Sequence, residues 1–510
     1  MTRARGAAQG HWSWSVRPAI SRTPLYLLMG ALLVTLITVP IAYAQPSEVA
    51  LWLLLLWFAW AFSTLWILVV RSFSPPAFGL MIIMLLYVLI PATGSVVTGK
   101  AVIGGLDYSR GTLAALQLSV AAQIALSAGV ILVHSMRGDA TTQIHRVIIK
   151  VSRKRLNQSA VIAMAIAVAA LLLLARTSGA DLSKYAAVLG NSTGDTFFTS
   201  ASGTVIGYFG SLTAIAGVCI LVAVCAGSMG YGSRPPLLVI LLALGAAAFL
   251  IAGGERVRFV VPALAAGLLW IKIRGGRRPL ALRTLTLLSV VGLVAFSALV
   301  GVARGQGDRS FTPANLVSSQ FGQGSDLFSP LAGLTQTVPA QHDYLWGSSY
   351  LDAFYFSIPR AIWGDKPRGE ILDVTAAFAD VRTGESFPEY GEMYANFGLA
   401  GVILGCLLFA ALLEWLWIRF ATSAGKSRLF VYPSLMAVML QIFTRDYAVS
   451  QLAGLLGFIL GVLILQRILD FQVVPRAVPE DETQAERGSP ARERPSQSGD
   501  VGGATESWSG

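Results

Sequence analysis

The densest group of charged side chains in this apolar chain lies in residues 358–370, IPRAIWGDKPRGE. Arg360, Lys366 and Arg368 are its cations, and Asp365 lies among them. Two prolines interrupt any regular helix there. Guanidinium groups bind phosphate oxygens in pairs, and lysine adds a point charge. The segment therefore predicts a site for a phosphate-bearing ligand, and the alternative is a loop that binds anionic lipid without specificity.

A short aromatic segment precedes these cations and has the pattern of a helix lying in the membrane interface. Its apolar residues recur at helical spacing, and a tryptophan follows them: Tyr350, Leu351, Phe354, Tyr355, Ile358 and Trp363. A segment resting on the headgroup layer would present the cations to a lipid-linked phosphate.

A second pair of cations, Arg256 and Arg258, stands in the sequence GGERVRF between two apolar stretches. The connection is so short that both residues must lie at or near the membrane surface, where ionisable groups are costly and usually face a cavity or a partner. We expect the pair to bind an anion. The alternative is a solvated turn whose long side chains reach the headgroups.

Acidic residues follow in the sequence ESFPEYGEMYANFGLAG, which contains Glu389, Glu392 and Asn396. Carboxylates beside a basic cluster can orient a sugar hydroxyl or accept its proton, and they can equally balance the charge of nearby arginines. His342 and Asp343 form a neighbouring pair in AQHDYLW. A histidine can act as a general base near neutral pH, so His342 is a third candidate beside the two glutamates.

Several kinds of chemistry have no sequence signature here. The chain has no Asp-x-Asp motif and no histidine or cysteine pair at metal-ligand spacing, and its three cysteines fall in apolar stretches. It also has no Gly-rich phosphate loop. We therefore expect no metal and no cofactor.

The elements that must position these residues are transmembrane helices. Of 510 residues, 55% are hydrophobic and only 13% are charged, and the apolar residues come in blocks long enough to cross a bilayer. The sequence predicts an all-α polytopic membrane protein with about twelve spans. They lie near residues 25–44, 49–70, 77–98, 111–134, 159–175, 203–226, 235–252, 257–273, 282–303, 393–418, 428–444 and 447–467.

The distribution of lysine and arginine predicts the orientation. They concentrate in both tails and in the even-numbered connections, which the positive-inside rule places in the cytoplasm. The net charge of +11 is thus spread as a topology signal and does not indicate nucleic-acid binding. The predicted divisions are a cytoplasmic tail (1–24), nine spans (25–303), a large extracytoplasmic loop with an interfacial helix (304–392), three spans (393–469) and a disordered cytoplasmic tail (470–510).

The segments IPRAIWGDKP and GEMYANFGLAG together resemble the Wzy-type O-antigen polymerases, a family of bacterial oligosaccharide repeat-unit polymerases. The resemblance comprises an Ile-Pro-Arg segment that runs into Asp-Lys-Pro, and a Gly-Glu-x-Tyr-x-Asn-Phe-Gly segment that opens the next helix. Together with the charges above, it implies substrate-binding roles for a set of residues. The resemblance matches no family base to a position, so His342, Glu389 and Glu392 stay the candidates for the catalytic base. The substrate-binding set is Arg256, Arg258, Arg360, Asp365, Lys366, Arg368, Tyr394 and Asn396.

The resemblance further implies a metal-independent glycosyltransferase of the mostly helical GT-C-like class, working at the outer face of the bacterial inner membrane. Its donor would be a glycan on polyprenyl diphosphate, and its acceptor a repeat unit on a second such lipid. Membrane lipids and a separate chain-length regulator are further candidate partners. Two alternatives stay open: an O-antigen ligase-type enzyme, and a flippase or other transporter of lipid-linked oligosaccharides. A transporter should place charges midway along its helices, whereas here they gather at one edge.

Overall fold

The computed structural model describes a largely helical chain. The described residues are 47–69, 74–103, 106–136, 147–178, 237–242, 256–274, 326–356, 363, 365, 371, 374–375, 377, 387–423, 425–444, 448–469 and 472–475. The predicted spans 25–44, 203–226 and 282–303 lie outside them, and only residues 237–242 of the span 235–252 are described.

Eleven helices and four short strands are defined in these ranges. The helices are α1 (Ser47–Val69), α2 (Pro75–Met84), α3 (Ile90–Thr98), α4 (Thr112–Ser135), α5 (Arg153–Ser178), α6 (Arg256–Arg274), α7 (Phe328–Thr337), α8 (Ser348–Phe356), α9 (Glu389–Thr422), α10 (Lys426–Phe443) and α11 (Ala448–Leu469). The strands are β1 (Val102–Ile103), β2 (Leu106–Asp107), β3 (Val147–Lys150) and β4 (Gln472–Pro475). The helices overlap the other eight predicted spans, with α2 and α3 together forming one of them.

Four helical stretches are long and apolar enough to cross a membrane: Glu48–Ile67, Pro75–Thr98, Ser109–Ser135 and Glu389–Thr422. Three shorter apolar helices accompany them, at Val261–Ile273, Arg428–Phe443 and Phe458–Leu469. The apolar residues of α1, α2, α4, α9 and α10 share one buried core. The helices α4 and α9 pack along each other. Gly129 makes this contact possible, because a Cβ there would overlap the carbonyl oxygen of Leu407.

A π-helical turn, Leu85–Leu89, joins α2 to α3. Its cause is local. Pro91 has no amide hydrogen to give to the carbonyl of Tyr87, four residues earlier, and its ring would crowd that carbonyl. The oxygen of Tyr87 instead accepts a hydrogen bond from the backbone N–H of Leu327 at 3.1 Å. A proline in one span therefore ties the segment before α7 to the helix bundle.

The helix α9 is broken near its start, at Phe397 and Gly398. Gly398 has φ 62° and ψ −153°, a combination essentially restricted to glycine. We call residues 389–398 the motif segment. The 24 residues after the break, 399–422, extend about 36 Å at 1.5 Å per residue, enough to cross the hydrocarbon core alone. The motif segment is thus a separate short helix set on a membrane helix.

The opposite end of α9 is held by two buried ionisable residues. The Nζ of Lys272, near the end of α6, donates to the carbonyl oxygens of Phe420 and Ala421 at 2.6 Å each. Glu414 is fully buried, and its Oε1 lies 3.1 Å from Nε2 of His134 at the end of α4. The sequence predicts Lys272 to be one of the basic residues at the cytoplasmic end of the eighth span, 257–273. The structure instead buries it, because the carbonyls that end a helix are acceptors with a negative dipole.

The strands β3 and β4 pair antiparallel, with Val147 opposite Pro475 and Lys150 opposite Gln472. Strand β4 falls inside the tail predicted to be disordered from residue 470. The backbone hydrogen bonds of the ladder order these four residues, a long-range pairing that composition does not reveal. The rest of the tail lies outside the described residues.

Candidate functional site

The centre of the candidate site is the buried side chain of Asn396, in the motif segment. Its Nδ2 donates to the hydroxyl of Ser349 at 2.7 Å and to the carbonyl oxygen of Glu392 at 2.8 Å. Its Oδ1 accepts from the backbone N–H of Gly347 at 2.9 Å. A side-chain amide offers two donor hydrogens and one acceptor oxygen, so protein partners already engage both donors and the oxygen. Asn396 therefore positions other groups.

The carboxylate of Glu392 belongs to the same network. Its Oε1 accepts a hydrogen bond from Ser349 Oγ at 2.7 Å, and all three side chains of Glu392, Asn396 and Ser349 are fully buried. Ser349 thus accepts from Asn396 and donates to Glu392. A buried carboxylate is costly unless it receives such bonds. The network fixes the start of α8 against the motif segment.

The turn that leads into α8 is bonded to the same segment through its backbone. Leu345 N–H donates to the carbonyl oxygen of Ala395 at 2.9 Å, and Trp346 N–H to that of Asn396 at 3.0 Å. Trp346 has φ 51°, the left-handed region that non-glycine residues rarely adopt. Its indole is nevertheless 74% exposed. The buried network therefore holds a strained turn that presents a tryptophan to the surroundings.

Two tyrosines complete an aromatic group around this turn. The ring of Tyr344 meets that of Trp346 edge-on at 6.2 Å and that of Tyr394 edge-on at 6.0 Å between centroids. The hydroxyl of Tyr394 donates to the carbonyl oxygen of Val338 at 3.0 Å, which ties the motif segment to the end of α7. Edge-to-face contacts of this kind are the preferred arrangement of aromatic rings.

Both glutamates of the motif segment are buried, Glu389 at 3% exposure and Glu392 at 0%. Burial of the Tyr350 ring raises the pKa of its phenol, and the charges of Glu389 and Glu392 raise it further. The phenol therefore stays protonated beside the two carboxylates. Tyr390, between them in sequence, shares a hydrogen bond of 2.9 Å with Ser119 of α4, which anchors the motif segment to the bundle.

Asp326 starts α7 and supports the same region. Its Oδ1 accepts from the backbone N–H groups of Phe328 and Ser329 at 2.8 and 3.0 Å, as a capping residue does. Burial raises the pKa of Asp326, and the hydrogen bonds from Ser329 and Phe328 oppose that shift. Sequence reasoning did not select Asp326, although an Asp followed by an apolar run is a recognisable helix-start signal.

The structure brings only part of the predicted site together. Glu389, Glu392, Tyr394 and Asn396 all lie in the motif segment. His342 and Asp343 are exposed on the turn after α7.

The charged residues of the two basic segments do not join this group in the described residues. Arg256 and Arg258 begin α6 and do not lie in a connection. Asp365 is exposed. Arg360, Lys366 and Arg368 lie outside the described residues.

Sequence reasoning missed Ser349 and the role of Trp346. Ser349 lies 47 positions from Asn396, and nothing near it in the sequence marks its partner. A Gly-Ser-Ser run before an apolar segment could have indicated a helix start at Ser348. Within the described residues, no cluster of three histidine, cysteine or acidic side chains could hold a metal ion.

The fold and site together define a polytopic helical membrane protein with a buried carboxylate–amide network at one end of a broken helix. The family model for the O-antigen polysaccharide polymerase Wzy matches residues 27–471. The match covers most of the chain, and the chain belongs to this family, as its two motifs predicted. No curated protein and no solved structure matches it.

The family defines the activity. The protein is an O-antigen repeat-unit polymerase of the inner membrane that acts on lipid-linked oligosaccharide repeat units. The family and the function that the sequence predicted are therefore confirmed.

Proposed function

We propose that polymerisation takes place at the extracytoplasmic face, between the motif segment and the cations Arg256, Arg258, Arg360, Lys366 and Arg368. The observation that carries this proposal is the joint between α6 and α9. Lys272 binds the last carbonyls of α9, so these two helices end together. Their first residues, with Arg256 on α6 and Glu389 on α9, then lie toward the opposite membrane face.

The strands supply the orientation. β3 lies in the fourth predicted connection, whose six Lys and Arg residues are typical of a cytoplasmic region. β4 follows the last predicted span and pairs with β3. Their pairing supports placing both strands on the same side of the membrane, and β3 lies near α6. The joint of α6 and α9 is then cytoplasmic. The motif segment faces outward, in keeping with the twelve-span topology that the sequence predicts.

The reaction is a glycosyl transfer between two lipid-linked glycans. The terminal hydroxyl oxygen of the acceptor forms a bond to the anomeric carbon of the donor. The bond from that carbon to the diphosphate oxygen breaks, and its electron pair leaves with the polyprenyl diphosphate. The hydroxyl proton passes to a protein base. Negative charge grows on the departing diphosphate, so fixed cations lower the barrier without need of a metal ion.

The first turn of α6 suits the leaving group, because free N–H groups and the helix dipole make a helix start attractive to anions. Arg256 and Arg258 add two cations there. Residues two apart lie about 200° apart around a helix axis, so we expect one arginine to contribute more than the other. The loop cations Arg360, Lys366 and Arg368 provide further charge.

The role of Glu392 changes in this proposal. Because Glu392 is bonded to Ser349 and fully buried, it positions the turn before α8 and does not accept the proton. Glu389 and His342 are the two remaining candidates for the base. A comparison of Glu389→Gln with His342→Ala separates them, since loss of a general base typically costs about 100- to 10,000-fold in rate.

Reconstitution tests the proposal. Purified protein in liposomes is supplied with a single kind of lipid-linked repeat unit, which serves as both donor and acceptor. The product length is followed by gel electrophoresis. Arg360→Ala should insert normally but stop elongation. Arg110→Ala, an exposed arginine in another predicted outer connection, should leave product length unchanged. Normal elongation by Arg360→Ala overturns the site, and lipid translocation without elongation supports a transporter. Addition of a candidate chain-length regulator would test that partner separately.

A further inference from the structure

The turn that carries Trp346 combines features that a connecting turn does not need. Its indole is 74% exposed, and among the described residues Trp346 alone has a positive φ without being glycine. A bulky residue is strained in this conformation, because its Cβ crowds the following carbonyl oxygen. Glycine or asparagine would occupy the position with less strain. The strain therefore accompanies a large aromatic surface turned outward.

The strained conformation is held by buried hydrogen bonds. Asn396 accepts from Trp346 N–H through its carbonyl oxygen and from Gly347 N–H through Oδ1. Its side chain is in turn fixed by Ser349 and Glu392. Each buried group of this hydrogen-bond network has a partner that would be lost if the turn relaxed. The polar network thus ends at, and orients, one exposed indole.

The residues that lead up to Trp346 in the chain are polar and then aromatic. Gln341, His342 and Asp343 precede it as exposed residues, and Tyr344 braces its ring edge-on. A tryptophan at the headgroup level also serves as a membrane anchor, and the variants below separate that role from sugar binding. Sugar rings combine C–H faces, which pack on aromatic rings, with hydroxyl groups, which bind polar side chains. The mixture of residues matches that chemistry.

We propose that Trp346, braced by Tyr344, is a platform on which a pyranose ring of the lipid-linked glycan stacks, with Gln341, His342 and Asp343 binding its hydroxyl groups. This proposal rests on the proposed function, because it places the glycan beside the motif segment. It assigns Asn396 and Glu392 a purpose as positioning residues for the platform. It also places the candidate base His342 next to the sugar that supplies the proton.

Three variants of Trp346 separate stacking from folding. Trp346→Gly removes the indole and relieves the backbone strain, so its thermal stability should stay equal or rise while glycan binding falls. Trp346→Leu keeps an apolar side chain without an aromatic face. Trp346→Tyr keeps an aromatic face. Trp415→Leu, which removes another exposed tryptophan toward the other end of α9, is the matched control.

The measurements are KM for the lipid-linked repeat unit and the change in tryptophan fluorescence on addition of the delipidated repeat-unit oligosaccharide. We expect Trp346→Gly and Trp346→Leu to raise KM about 10-fold, the loss of roughly one stacking contact, with Trp346→Tyr close to wild type. The oligosaccharide should change the fluorescence of Trp415→Leu and not that of Trp346→Gly.

Other results would overturn the platform. If Trp346→Leu keeps the wild-type KM while Trp346→Gly does not, the indole is a membrane anchor. If Trp346→Gly lowers thermal stability and leaves KM unchanged, the residue is structural. A failure of the proposed active site is distinguishable from a failure of the platform. In that case Arg360→Ala would elongate normally, while the oligosaccharide would still change the tryptophan fluorescence that depends on Trp346.

Discussion

The two ends of α9 bury polar groups in different ways. The motif segment uses a hydrogen-bonded network of Ser349, Glu392 and Asn396, next to a backbone break at Gly398. The other end uses the ionisable side chains of Lys272 and Glu414, on regular helix. The first arrangement orients a turn and a strained residue. The second only fixes helices to each other, so it should affect stability more than catalysis.

The buried contact between His134 and Glu414 gives the largest expected effect on stability. His134→Leu leaves the Glu414 carboxylate buried without the imidazole that lies 3.1 Å from it, and should lower the free energy of unfolding by about 3 kcal/mol. The double variant His134→Leu/Glu414→Leu should recover most of the loss, because replacing a whole buried pair by apolar residues is often neutral. Thermal unfolding in detergent measures both. A double variant as unstable as the single one would show that His134 and Glu414 stabilise the fold by more than their contact with each other.

The motif segment should respond in catalysis. Glu392→Ala removes the acceptor of the Ser349 hydroxyl, and the displaced turn should lower kcat/KM about 100-fold. Glu392→Gln keeps an oxygen in the same place and should stay within a few-fold of wild type. Elongation rates in liposomes give both values. Equal losses in the two variants would instead identify Glu392 as the base.

The joint of α6 and α9 should show the opposite behaviour. Lys272→Met keeps the length of the side chain but loses two hydrogen bonds to carbonyls, and should lower the free energy of unfolding by about 2 kcal/mol. KM and kcat of the folded protein should not change. Lys154→Met, at an exposed lysine, is the control. A changed KM would mean that the joint also sets the geometry of the motif segment.

The break in α9 gives the smallest expected effect. Gly398→Ala puts a Cβ where φ is 62° and ψ is −153°, and should lower the free energy of unfolding by about 1 kcal/mol. Gly94→Ala lies in a helix with nothing near the added Cβ and should be neutral or stabilising. Circular-dichroism melts compare the two. If Gly398→Ala is as stable as Gly94→Ala, the break needs no glycine.

Part of the candidate site could be predicted because it lies in a contiguous motif. Glu392, Tyr394 and Asn396 stand within five residues of one another, and family resemblance selected them. Their hydrogen-bond partners could not be predicted. Asn396 was expected to bind substrate, but its partners Gly347 and Ser349 are 49 and 47 positions away, and only folding brings them together.

The sequence by itself determined the helical membrane character and the family, whereas it predicted the broken helix α9 as one continuous span. Apolar length is a local property, so it is legible in a linear string. Only the tertiary structure decided which polar groups are hydrogen-bonded inside the protein and which side chains are exposed. Lys272 changed from a surface charge to a buried donor, and Trp346 changed from an unremarked loop residue to an exposed one. The physical reason is that a buried polar group must find partners wherever packing puts them.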